Sequence, residues 1–77
     1  MYDETMLIKA EKLSVDGARL KIALTDGRVL FCRSRGIMPM TDDETGEELD
    51  YNGLLVERVG GGYEQFKNEE IVSVEKA

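Results

Sequence analysis

The chain of 77 residues has no histidine, one cysteine (Cys32) and one proline (Pro39). Without histidine, and with a single thiol, none of the usual zinc or transition-metal ligand sets can be assembled. One cysteine also excludes an intrachain disulfide, which fits a reducing cytoplasm. No imidazole exists to activate a nucleophile, and Cys32 follows Val29-Leu30-Phe31, a context for burial. Catalysis would have to rest on carboxylates, lysines or tyrosines, and no pair of these recurs at a defined spacing. The residues therefore point to a binding module that is not an enzyme and needs no cofactor. No apolar run reaches bilayer-spanning length, and the opening MYDET lacks the basic region and long apolar core of a secretory signal. The expectation is a cytoplasmic protein with no membrane partner.

The formal net charge is −6. Taken alone, this opposes nucleic-acid binding, where affinity comes largely from phosphate neutralisation. The distribution changes that inference. Between Gly36 and Glu57 stand seven acids and no base, leaving ten bases against nine acids elsewhere. The acidity belongs to one stretch, and a basic face elsewhere stays open.

Alternation is clearest from Leu20 to Cys32, LKIALTDGRVLFC. Asp26-Gly27 between alternating apolar residues predicts a hairpin with a two-residue type I′ turn. That loop sets Leu24 opposite Val29 and Ile22 opposite Phe31, so these four residues are expected to line the core. Met6 to Ser14 reads as a preceding strand, joined through a three-residue Val15-Asp16-Gly17 loop with a left-handed Gly17; a short helix over Tyr2 to Leu7 is also compatible. Arg33 to Glu48 reads as irregular, because Pro39 disfavours a central strand and TDDETGEE is rich in turn formers. An acidic excursion is thus expected at about residues 36–48. Asn52-Gly53 predicts a second I′ hairpin, Gly60-Gly61-Gly62 a break, and Tyr63 to Phe66 a strand. Lys67-Asn68-Glu69-Glu70 then turns the chain into IVSVE. The sum is one all-β domain over residues 1–77, a small SH3-like barrel of five to six short antiparallel strands. At this size a single core is near its lower limit, so self-association is expected.

The spacing resembles that of the Sm and Sm-like proteins, RNA-associated small β-barrels that assemble as rings. LKIALTDGR (Leu20 to Arg28) is similar to their first signature, hydrophobic-x-Val-x-Leu-x-Asp-Gly-Arg. FKNEEIVSV (Phe66 to Val74) resembles their second, with Lys67 for Arg and Asn68 for Gly. Between them, ELDYNGLL (Glu48 to Leu55) is similar to the family's acidic-x-x-Met-Asn-Leu-Val-Leu, with Tyr51 in the Met position and Asn52 as the loop Asn. Cys32 replaces a strand-bending Gly, Gly53 interrupts the apolar run, and Gly36 to Gly46 has no counterpart. The resemblance implies a homo-oligomeric ring and a single-stranded RNA pocket at its pore, built from Tyr51, Asn52, Lys67 and Asn68. Tyr51 would stack on a base, the asparagines would read a base edge, and Lys67 would neutralise phosphate. The plainer reading of the same residues is a turn Asn, a half-buried strand Tyr and a solvated Lys.

Two other groups are candidates. Arg28, Arg33 and Arg35 form the densest basic cluster, suited to phosphate contacts or to pairing with nearby carboxylates. Asp42, Asp43, Glu44 and Glu47 could engage a basic protein partner, as a nucleic-acid mimic or inhibitor would, or could keep the loop solvated. An EF-hand register on Gly46 places Thr41 and Asn52 at the two positions that need carboxylates, so no calcium site is expected.

Overall fold

The computed structural model describes residues 3–77. Helix α1 (Thr5–Leu13) is followed by a 3-10 turn (Val15–Gly17) and strands β1 (Leu20–Leu24), β2 (Val29–Thr41), β3 (Glu48–Arg58) and β4 (Tyr63–Lys67). A second 3-10 turn (Asn68–Glu70) leads into β5 (Ile71–Lys76). The strands form one antiparallel sheet in the order β4-β3-β2-β1-β5. The fold is all-β with one short helix, as expected, and no helix is long and apolar enough to cross a membrane among the described residues.

Met6 to Ser14 is helix where a strand was expected. The edge of β1 assigned to it is taken by β5, whose Val74 faces Ile22 and whose Ser73 faces Ala23. Leu7 and Ala10 share the helical three-residue spacing that buries them together. Two of the helix's orphan N–H groups find side-chain acceptors: Thr5 N–H donates to Asp3 Oδ1 (2.9 Å) and Met6 N–H to Asn68 Oδ1 (2.7 Å). The helix compatible with Tyr2 to Leu7 thus exists further along the chain, and Tyr2 lies outside the described residues. Gly17 does adopt positive φ (72°), but in the 3-10 turn and not in a hairpin bulge.

The Asp26-Gly27 hairpin forms with a different loop. Leu24 N–H donates to the Arg28 carbonyl (2.9 Å) and Gly27 N–H to the Leu24 carbonyl (3.1 Å), closing a three-residue Thr25-Asp26-Gly27 loop with Gly27 at φ 91°. Asp26 stays out of the left-handed region because its carboxylate accepts the Arg28 N–H (3.0 Å) instead. The register therefore moves by one: Ile22 faces Leu30 and Leu20 faces Cys32. A slip of one residue exchanges the faces of a strand. Ile22, Leu24 and Cys32 are buried, whereas Val29 and Phe31 are half exposed at 50% and 51%, which corrects the expected core lining.

Strand β2 runs through Pro39, correcting the expected irregular segment. Its pairing with β1 ends at Cys32, so beyond that point only one side of β2 is bonded, and a proline is tolerated there. A bulge between Ser34 and Gly36, with Gly36 at φ 115°, bends the strand. The acidic turn shrinks to the residues between Thr41 and Glu48. Asn52-Gly53 is not a hairpin either. Gly53 sits inside β3 opposite Met38 and Lys67, and a Cβ there would meet the Phe66 carbonyl oxygen at 2.8 Å and the Met40 side chain. Glycine is needed at that point for close approach. The triple glycine does turn the chain, with all three at positive φ.

The core combines Leu20, Ile22, Leu24 and Cys32 with Leu54, Val56, Phe66, Ile71 and Val74, closed by Leu7 and Ala10 of α1. Glu64 ties the curved sheet together from β4, accepting from Arg28 Nη1 of the first hairpin (3.2 Å) and Arg58 Nη1 of β3 (2.8 Å).

Candidate nucleic-acid interface

Pairing of Gly53 with Lys67 sets the end of β4 beside the middle of β3, so Tyr51, Asn52, Lys67 and Asn68 gather where β4 ends. Their amides are already engaged. Asn68, only 9% exposed, accepts the Met6 N–H, and Asn52 Nδ2 donates to Glu4 Oε2 (2.9 Å). Both asparagines thus hold the start of α1 against the sheet, a role the sequence did not suggest. Between that segment (Asp3 to Thr5 and Ile8) and residues 50–52 lies an open cleft of about 660 Å³. Tyr51 is half-buried in its wall, and Lys67 is exposed on β4. Asp3, Glu4 and Asp50 make the cleft acidic. The Thr5 hydroxyl and N–H hold the Asp3 carboxyl below the usual carboxylate range, so it stays ionised. Such a cleft offers a ring face for stacking and acceptors for amino and N–H groups of a base edge.

The three candidate arginines separate. Arg28 is bonded to Asp26 (2.8 Å) and to Glu64, and lies 5.9 Å from the Phe66 ring centroid. Asp26 and then Glu64 raise its pKa, while the backbone N–H of Arg28 and then its guanidinium lower that of Asp26. Arg35, the bulge residue, is ion-paired with Glu57, which raises its pKa. Arg33, opposite Glu57 in the ladder, has no side-chain hydrogen bond or ion pair among the described residues. It lines a second pocket, of about 260 Å³, with Arg19, Arg58 and the Gly60-Gly61 turn. Sequence reasoning passed over Arg19 and Arg58, because they are distant from Arg33 along the chain and only the folded sheet, with Arg58 opposite Cys32, brings them to one pocket.

At the acidic turn, Asp42 is structural: its Oδ1 accepts the N–H groups of Glu44 (2.8 Å) and Thr45 (3.1 Å). Asp43, Glu44 and Glu47 are exposed. Among the described residues no group of three or more potential ligands is arranged to hold a metal ion. Cys32 is buried, and burial, reinforced by the Glu64 charge, pushes its thiol pKa up to about 11.

Compared with known proteins, the chain matches no family model, no curated protein and no solved structure. The class defined by fold and site is a small all-β, barrel-like protein with an acidic cleft between the start of α1 and β3 and an arginine pocket elsewhere.

Proposed function

We propose that the protein is a non-enzymatic, Sm-like cytoplasmic module that assembles into a homo-oligomeric ring and binds single-stranded RNA. The observation that carries this reading is the sheet order β4-β3-β2-β1-β5, preceded by a helix. It leaves β4 and β5 as the two outer strands, so the β4 edge of one copy and the β5 edge of the next can pair head to tail until a ring closes. The gathering of Tyr51 and Asn52 with Lys67 and Asn68 where β4 ends supports a base-binding role for that region. Binding of short U-rich or A-rich RNA, titrated at several salt concentrations, tests it. Affinity should fall with salt and be lost in Tyr51→Ala and Lys67→Ala; unchanged binding in both variants removes the site.

One observation favours a second reading. The acidic turn is held in a fixed shape by the Asp42 side chain and by Asp42 N–H donating to the Glu47 carbonyl (2.8 Å), which presents carboxylates to a basic protein partner. Neutralising Asp42, Asp43, Glu44 and Glu47 together should abolish capture of such a partner while leaving RNA binding in place.

A further inference from the structure

The geometry points to a phosphate-binding site for single-stranded nucleic acid formed by Arg19, Arg33 and Arg58 at the Gly60-Gly61 turn. This inference rests on the RNA reading above and adds a second contact surface, which shares no residue with the acidic cleft.

The arginines converge through register. Arg19 immediately precedes Leu20, which faces Cys32, Cys32 on its other side faces Arg58, and Arg33 follows Cys32 on β2 opposite Glu57, so all three arginines line one pocket. The protein has 16 acids to 10 bases, yet no carboxylate bonds Arg19 or Arg33 among the described residues. Glu57, the one acid lining the pocket, is ion-paired with Arg35, and Arg58 is paired with Glu64. Arg19 and Arg33 thus line one concavity with no carboxylate bonded to their side chains among the described residues. Guanidinium groups in that arrangement suit the oxygens of a phosphate.

The turn adds to the site. Gly60 and Gly61 adopt φ of 101° and 113°, with no side chain above them, so their backbone is open to a ligand. Gly61 N–H donates to the Arg58 carbonyl (3.0 Å), whereas Gly60 N–H has no acceptor among the described residues.

A strand fits this surface better than a free anion does, because an aromatic ring lies beside it. Phe31, half exposed, precedes Arg33 by two residues, faces Lys21 across the pair, and accepts the Val59 N–H on its carbonyl (2.9 Å). Cations flanking an exposed ring provide a phosphate contact and a stacking platform for the neighbouring base.

Amide shifts of the intact protein, titrated with a short oligouridylate and separately with inorganic phosphate, test the site. The oligonucleotide should move Phe31 and Val59 to Gly62, and Arg19→Gln and Arg33→Gln should each weaken that response about tenfold and lower the salt slope by about one. Lys12→Gln, an exposed charge on α1, should leave the response unchanged. Shifts confined to Tyr51, Asn52 and Lys67 would overturn this site and leave the RNA reading intact. No shifts anywhere would overturn both. Inorganic phosphate moving the same amides as strongly as the oligonucleotide at equal phosphate concentration would overturn the assignment to a strand.

Discussion

The acidic cleft and the arginine pocket differ in what their polar groups are used for. Around the cleft, Asn52, Asn68 and Asp3 are bonded to Glu4, Met6 and Thr5, so polar side chains hold the helix start in place. In the pocket, the side chains of Arg19 and Arg33 have no hydrogen-bond or ion-pair partner among the described residues. The net charge of −6 describes neither region, because a ligand meets the local field and not the sum.

Breaking the cleft end should have the largest effect. Gly53→Val drives a side chain against the Phe66 carbonyl and Met40, and should cost about 3 kcal/mol in urea unfolding, at the upper end of overpacking penalties. Next, Asn68→Ala deprives the Met6 N–H of its acceptor and should cost about 2 kcal/mol, with hydrogen exchange accelerating first at Met6. Asn68→Asp, which retains an acceptor, should cost less.

The pocket end should respond more weakly. Burial pushes the thiol of Cys32, directly opposite Arg58, from its ordinary pKa of 9.0 up to about 11. The unfolded thiol therefore ionises first, and stability falls as pH rises between these values. At pH 10 the loss should be about 1 kcal/mol relative to the pH dependence of Cys32→Ala. Smallest of all, Glu64→Gln releases two guanidinium groups that are themselves well exposed, and should cost about 0.5 kcal/mol in a salt-sensitive way. The same variant frees Arg58, so it should strengthen oligonucleotide binding at the pocket while the cleft end stays unchanged.

The glycine corners and the β4 and β5 segments were legible in the sequence because their signals are local: Gly60 to Gly62 turn the chain, and Asn68 starts a 3-10 turn into β5. The α1 segment was not. MLIKAEKLS carries both a two-residue and a three-residue apolar spacing, and the choice fell to β5, a partner more than fifty residues away. The first hairpin was read correctly as a hairpin but with the wrong loop. Asp26 prefers to bond Arg28 over entering the left-handed region, and that one-residue difference exchanged Phe31 for Cys32 in the core. Pro39 and Gly53 misled for a shared reason. Each is a local breaker whose position in the sheet, at a free edge or a close approach, removes the usual penalty. At the sites, the Sm-like resemblance offered Tyr51, Asn52, Lys67 and Asn68, and the local run of bases offered Arg28, Arg33 and Arg35, whereas Arg19 and Arg58 meet Arg33 only in the folded pocket.

Sedimentation velocity of the protein with a labelled short oligouridylate, across micromolar concentrations, tests the central claim most directly. The account predicts that RNA and protein travel together in one closed assembly of several 8.6 kDa copies. A protein that sediments as a single copy at every concentration and leaves the oligonucleotide free contradicts it.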